Sequence, residues 1–160
     1  MEPRISSPVL TVPGVMDALQ ALSRKATHTA TQSGLPQATL GLVSVRASQI
    51  NGCAVCLDMH TRAAKKAGET DERLATLAAW RESPYFSEAE RAALVLAEAG
   101  TRLADRANPV PDEVFEEAAR HYDGPGLAAL IVVIAAINAW NRLNVITGQV
   151  AGEWTAQLAS

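Results

Sequence analysis

The chain contains only two cysteines in 160 residues, Cys53 and Cys56, and His60 follows four residues after the second. In a helix that begins at Cys53, this spacing places all three side chains on one face, so that a dithiol lies beside an imidazole. The first helical turn also presents free N–H groups and the positive end of the helix dipole, which favour a thiolate at Cys53. The pattern therefore predicts redox-active thiols rather than two core cysteines at incidental spacing.

A zinc site is the alternative use of the same residues. A structural zinc ion takes four ligands, whereas Cys53, Cys56 and His60 supply three, and the chain has no second C-x-x-C pair. His28 or His121 would have to complete such a site through folding. Both are expected to be surface residues, so we predict no bound metal and no other cofactor.

The elements that must position these residues read as helices throughout. Aromatic residues make up only 4% of the chain, and no alternating β-branched segment is bounded by hairpin turns. An all-α bundle of about seven helices is predicted, and residues 1–12 are expected to run extended across the surface or against a neighbouring subunit. The predicted helices cover 13–31, 36–50, 53–68, 70–80, a segment from Ser87 with an apolar stripe to Leu103, 112–121 and 127–150.

Composition and charge exclude several classes of partner. The net charge of -3 and the scattered basic residues offer no field for nucleic acid. The N-terminus lacks a basic segment followed by an apolar stretch, so no secretory signal is predicted and a cytoplasmic location is expected. The longest apolar run, 127–137, is shorter than the ~20 residues that cross a bilayer, and it predicts a buried core helix. Residues 1–160 are expected to form one domain.

Aromatic and polar residues near the predicted helix ends allow more than one interpretation. Trp80 and Tyr85 flank a break and are expected to be packing residues. Trp140 lies late in the last helix with three polar neighbours, which either line the cysteine pocket or bind a neighbouring subunit: Asn138, Asn141 and Arg142.

Four short motifs carry a resemblance to a known family. They read Ser48-Gln-Ile-Asn-Gly-Cys-x-x-Cys-x-x-x-His60-Thr-Arg, Leu77-Ala-Ala-Trp-Arg-Glu, Phe86-Ser-Glu-x-Glu-Arg and Ile137-Asn-Ala-Trp-Asn-Arg142. Over about residues 35–145 the chain resembles the AhpD-like (alkylhydroperoxidase D) proteins of the carboxymuconolactone decarboxylase superfamily. The resemblance implies an all-α fold assembled as dimers, trimers or hexamers, with a C-x-x-C pair that reduces peroxides or exchanges disulfides with a thiol or dithiol partner. It further implies that Cys56 becomes a sulfenic acid, while Cys53 supplies a proton and then forms the disulfide.

The chain departs from this family pattern at Gly41. A glutamate usually stands at this position, twelve residues before the first cysteine, and relays a proton to the histidine. No carboxylate occurs between Asp17 and Asp58, so a replacement must come from elsewhere, with three candidates: Glu88, Glu90 and Glu98. General base assistance is typically worth about 10²–10⁴-fold, so peroxidase activity is expected to be weakened. Glycine in a helix is also about 1 kcal/mol worse than alanine, which suggests an enlarged pocket at this point.

The sequence favours the first of three functions and leaves the other two as alternatives. The first is a peroxidase or thiol-disulfide oxidoreductase that uses Cys53, Cys56 and His60. The second is a non-catalytic redox sensor or binding protein that lost turnover with the glutamate. The third is a decarboxylase or small-molecule enzyme of the broader superfamily, which would not depend on the cysteine pair.

Overall fold

The computed structural model describes residues 2–152, which are helical with no strand among them. The prediction of an all-α fold is thus confirmed, with eight α-helices and one 3-10 helix rather than about seven helices. The helices are α1 Pro8–Thr11, α2 Val15–Gln32, α3 Gln37–Asn51, α4 Ala54–Lys66, α5 Asp71–Thr76, the 3-10 helix Leu77–Glu82, α6 Glu88–Thr101, α7 Asp112–His121 and α8 Gly124–Thr147.

Helix α3 lies at the centre of the bundle. It packs against α4, α6 and α8, and more than half of its residues are buried, which agrees with its apolar residues on two adjoining faces. The serine hydroxyls on α3 are hydrogen-bonded within the helix, because Ser44 donates to the Leu40 carbonyl and Ser48 to the Ser44 carbonyl. The cysteine-bearing helix α4 therefore packs against a helix, α3, that is itself largely buried.

Helix α8 is the long apolar helix that the sequence predicted to be buried. By length and composition it could cross a membrane, but 56% of its most apolar window is buried inside the protein, as in a core helix. It packs most extensively against α2 and α3. It begins at Gly124, three residues before the predicted start, because the Asp123 carboxylate accepts a hydrogen bond from the Gly126 N–H at 2.7 Å.

The N-terminal segment differs from the extended chain that was predicted for residues 1–12, of which Met1 lies outside the described residues. It contains the one-turn helix α1, and Val9 is buried. The Arg4 N–H donates to the Thr147 carbonyl at 2.8 Å. The segment therefore folds back onto the end of α8 of its own chain.

The predicted helix over 70–80 is broken in two. Helix α5 passes into the tighter 3-10 helix, and Ala79 has non-helical angles (φ −117°, ψ 31°). This kink turns Trp80 inward, where its indole N–H donates to the buried Glu98 carboxylate at 3.0 Å. Trp80 is a packing residue, as predicted, but Tyr85 is exposed.

Helix α6 begins with the predicted capping box and ends before Leu103. The Ser87 hydroxyl accepts from the Glu90 N–H, and the Glu90 carboxylate accepts from the Ser87 N–H. At the other end Arg102 caps the helix and turns its guanidinium to Glu98, at 3.2 Å. Leu103 lies past this end, half exposed, and does not belong to the apolar stripe.

Candidate active site

The two cysteines lie at the junction between α3 and α4. Helix α3 ends at Asn51, and Gly52 adopts the left-handed conformation (φ 67°) that turns the chain toward α4. Cys53 is the N-cap of α4, with extended backbone, and its Sγ accepts a hydrogen bond from the Cys56 N–H at 3.3 Å. Cys53 thus precedes the first helical turn instead of forming part of it, which corrects the predicted start of the helix by one residue.

The two thiols are not joined by a disulfide in the structure, and their pKa values differ. The hydrogen bond from the Cys56 side chain, followed by that from the Cys56 N–H, lowers the pKa of Cys53 to about 6 although burial opposes this. The same side-chain hydrogen bond raises the pKa of Cys56, and burial and the negative charge of Cys53 raise it further. At neutral pH the pair therefore carries one negative charge, which lies mainly on Cys53, as the helix N-terminus predicts.

The two sulfurs also differ in what they face. Cys56 lines a cavity of about 390 Å³ between α2, α4 and α8, and Cys53 does not. His60 lines the same cavity, one helical turn beyond Cys56. The other lining residues are largely apolar: Val55, Met59, Val133, Ala136, Ile137, Trp140 and Met16, with Gln20, Ser23, Arg24, Thr27, Ser44 and Asn144. Both cysteines are buried, and of the two the less acidic one borders the cavity that a ligand could enter.

His60 stands between this main cavity and a smaller side cavity of about 140 Å³. Burial lowers the pKa of its imidazole, so the ring is neutral at neutral pH. In the part of the chain that the structure describes, its ring makes no hydrogen bond or ion pair. A neutral imidazole in this position is free to accept or donate a proton to a ligand.

Gly41 forms part of the wall of the side cavity, which is the enlarged pocket expected from the sequence. A Cβ built at Gly41 would meet only the Cβ of Ala64, at 3.9 Å, which is ordinary contact. The position is thus not reserved for glycine by crowding. Space for a larger side chain lies next to His60.

The three acids suggested as replacements for the missing glutamate do not serve this role. Glu98 is buried under Trp80 and three arginines, which hold its pKa at about 2 against the effect of burial. Glu90 is bound to Arg73, and Glu88 is exposed. None of them lines either cavity at His60. Their positions on α6 direct them to other partners.

Glu69 is the acid that the sequence reasoning missed. It lines the side cavity together with His60, and it follows Gly68, two residues past the end of α4. Its carboxylate is held by Arg73 at 2.8 Å, so its charge is already neutralised. A position this far from Cys53 along the chain gave no sign of proximity to His60.

An amide network on α8 supports the cysteine turn. Asn144 donates to the Cys56 Sγ at 3.3 Å, and Asn141 donates to the Ser48 hydroxyl at 3.1 Å. The side-chain amide of Asn51, at the end of α3, donates to the side-chain oxygens (Oδ1) of Asn138 and Asn141 at 2.9 Å each. Asn144 was not predicted from the sequence as a site residue, although its spacing of three from Asn141 in an apolar helix was a usable signal.

The other polar residues near the end of α8 bind within the chain. Arg142 donates to the Asn138 carbonyl, and Trp140 donates to the Ser23 hydroxyl at 3.3 Å while lining the main cavity. His28 and His121 are exposed on α2 and α7. Within residues 2–152, no group of three His, Cys, Asp or Glu side chains is arranged to hold a metal ion.

The site combines a C-x-x-C pair that caps a helix with an apolar cavity and a histidine, within a helical bundle. These features define a class of proteins that contain a paired thiol. The sequence profile of the carboxymuconolactone decarboxylase family matches residues 13–99. The chain is 42% identical over 117 residues to the uncharacterized protein YdfG of Bacillus subtilis (strain 168), which covers 73% of this chain and 78% of YdfG. It therefore belongs to the carboxymuconolactone decarboxylase family and is AhpD-like.

Further relatives agree with this assignment. The uncharacterized protein YnjA of Escherichia coli (strain K12) is 36% identical over 114 residues, covering 71% of this chain and 60% of YnjA. A crystal structure of a protein of unknown function from Agrobacterium tumefaciens, provisionally assigned as the antioxidant defence protein AhpD, has a TM-score of 0.82 at 33% identity, covering 94% of this chain and 98% of that one. The apo debrominase Bmp8 shares the fold at 21% identity, with a TM-score of 0.78 over 91% of this chain and 75% of Bmp8. Its cysteine-to-alanine variant was solved with 2,3,4-tribromopyrrole.

Proposed function

We propose that the protein is a C-x-x-C-dependent peroxidase, in which Cys56 is oxidised to a sulfenic acid and Cys53 then closes an intramolecular disulfide. The observation that carries the proposal is that the two sulfurs differ in position and in charge. Cys56 lines the cavity, and Cys53 holds the negative charge beside it. A thiol or dithiol reductant would restore the pair, and the same chemistry would serve disulfide exchange with a partner.

The first step needs the charge on the sulfur that meets the substrate. The Cys56 proton passes to the Cys53 thiolate along the hydrogen bond that joins them. The Cys56 thiolate attacks the terminal oxygen of a hydroperoxide ROOH, the O–O bond breaks, and RO⁻ departs. The Cys53 thiol returns its proton to RO⁻, so that Cys56-SOH, Cys53-S⁻ and ROH result. Cys53 thus acts first as base and then as acid.

The second step forms the disulfide. The Cys53 thiolate attacks the Cys56 sulfur and expels hydroxide, which takes a proton to become water. His60 is neutral and lines the cavity beside Cys56, so its ring is available to relay that proton, taking one up from solvent on one nitrogen and releasing one from the other. Asn144 donates to the Cys56 sulfur and would stabilise its thiolate before attack. Overall, two thiols and ROOH yield one disulfide, ROH and water.

Steady-state consumption of an organic hydroperoxide with excess dithiol tests this function. The wild type should turn over many equivalents, while Cys56→Ser should be inactive. Cys53→Ser should form a sulfenic acid, trapped by a dione reagent, without a disulfide. Activity that persists in Cys56→Ser would instead favour a cysteine-independent enzyme of the broader family.

A redox sensor is the second candidate, and one observation favours it. Among residues 2–152, no free carboxylate lines either cavity next to His60, so none of them supplies an acid that would orient the ring and return a proton to it. A sensor would be oxidised once by stoichiometric peroxide and would not turn over with dithiol. The steady-state assay therefore separates the two candidates.

We also propose that the protein works as a homo-oligomer in a reducing compartment such as the cytoplasm. A reducing compartment keeps the pair in the dithiol form that the first step requires. Assembly is supported by a row of exposed apolar residues in the first half of helix α8, made of Ala128, Ile131 and Ala135.

A further inference from the structure

The main cavity is a trough rather than a small hole around Cys56. Its wall on α2 extends from Met16 to Thr27, and its wall on α8 from Val133 to Asn144, each about 16 Å along a helix. The two helices are antiparallel here, because Thr27 and Val133 meet at the side cavity while Ser23 accepts from Trp140. Such a trough is far longer than hydrogen peroxide requires and fits an elongated molecule.

The wall of the trough is mainly apolar and carries one fixed charge. Arg24 lines it from α2, and its guanidinium donates to the neutral Gln20 amide at 3.2 Å. Arg24 forms no ion pair within the described residues. No acidic residue of the described part of the chain lines the trough, and Glu69 in the side cavity is already bound by Arg73. An uncompensated cation beside an apolar wall favours an anionic group attached to an apolar body.

We infer that this trough binds elongated apolar carboxylic acids, with the carboxylate at Arg24 and the chain lying along the trough over Cys56. The inference rests on the proposed function for the fate of the ligand, since the substrate would be a hydroperoxide of such an acid. Binding itself requires no thiol chemistry. Trp140, Met59 and Ile137 would contact the chain, and water would remain around the exposed head group.

Calorimetric titration of the reduced protein with decanoate tests this inference. Decanoate should bind, and octanoate and hexanoate should bind about tenfold more weakly for each two CH₂ groups removed. Decanol, which lacks the charge, should bind more weakly than decanoate. Arg24→Gln should weaken decanoate by up to about fivefold, the range of a partly exposed ion pair, and leave decanol unchanged.

Two further variants sharpen the test. Lys25→Gln removes the adjacent cation of α2, which does not line the trough, and should leave decanoate binding unchanged. Arg24→Glu should reverse the preference toward decylammonium. The inference is overturned if decanoate does not bind, if decanol binds the wild type equally well, or if Arg24→Gln and Lys25→Gln behave alike.

The inference and the proposed function can fail separately. Thiol oxidation by hydrogen peroxide reports on Cys53 and Cys56 without using Arg24. Decanoate carries no peroxide, so its binding reports on the trough alone.

Discussion

At the scale of single residues, the more acidic of the two thiols is not the one that lines the cavity. Cys53 is the more acidic thiol, and Cys56 faces the cavity with a raised pKa. Helix-dipole physics points to Cys53 and the family resemblance to Cys56. Both assignments are compatible if one proton moves between the two sulfurs, because the pair then titrates as a unit.

The pH dependence of thiol reactivity should reveal this unit. The shared anion forms as pH rises, so the rate of oxidation by peroxide should increase through pH of about 6 and level off above it. In Cys53→Ser the hydrogen-bonded anion is lost, and the midpoint should move to alkaline pH by more than one unit. Stopped-flow oxidation across a pH series measures both midpoints. A wild-type midpoint near the ordinary thiol value of 9.0 would contradict the assignment.

Gly41 offers a gain of function at one residue. Gly41→Glu should place a carboxylate in the side cavity beside His60, where a new Cβ meets only Ala64. Since His60 acts in the step that closes the disulfide, we expect this step to accelerate, by up to about 10²-fold at the low end of general base effects.

Gly41→Gln is the matched control, since it fills the same space without an acid. The rate of disulfide formation after the addition of peroxide is compared between both variants and the wild type by stopped flow. Equal rates for the Glu and Gln variants would show that a missing acid does not limit the reaction.

At the scale of elements, local signals predicted most helix boundaries. The Ser87 capping box, Gly52 and the proline-rich loop before Asp112 all place helix ends within about one residue. These signals act through neighbouring backbone groups, so a short window of sequence contains them.

Features that depend on distant partners were not predictable in this way. The segment before α1 is bonded to the end of α8 through Arg4, and the break before Trp80 depends on Glu98. The Asn144 contact with Cys56 joins residues 88 positions apart. The sequence thus predicted the C-x-x-C turn and its histidine, but not the trough or the amide network that surrounds them.

The start of α8 provides a test of element packing with an internal control. A Cβ at Gly126 would lie 2.7 Å from Leu35 Cδ1 and 2.8 Å from the Asp123 cap oxygen. Gly126→Ala should therefore lower the free energy of unfolding by about 1–3 kcal/mol. Gly124 has no atom within 4 Å of its Cβ position, and Gly124→Ala should be neutral or stabilising by up to about 1 kcal/mol. Urea unfolding compares them, and equal effects would contradict this packing.

At the scale of the whole molecule, helix α8 presents one side to the protein interior and the other to solvent. One side fills the core and the trough, and the other exposes Ala128, Ile131 and Ala135 in a helical row. An apolar row on the most apolar helix is typical of a subunit interface. The trough lies on the opposite, inward side of the same helix, so assembly would hold its wall in place.

Ile131→Glu should weaken the proposed assembly by placing a charge in that row. We expect the wild type to be larger than a monomer by light scattering after size exclusion, and Ile131→Glu to shift toward the monomer. Phe115→Glu, at an exposed apolar residue of α7, is the control and should leave the mass unchanged. A monomeric wild type, or equal shifts in both variants, would contradict this interface.

The central claim is that Cys53 and Cys56 form a dithiol that peroxide converts to a disulfide. The most direct measurement treats the reduced protein with one equivalent of an organic hydroperoxide and then counts free thiols and determines the intact mass. We predict that both thiols disappear together and that the mass falls by two hydrogens per chain, with Cys53→Ser instead gaining one oxygen. Persistence of both thiols in the wild type would contradict the claim.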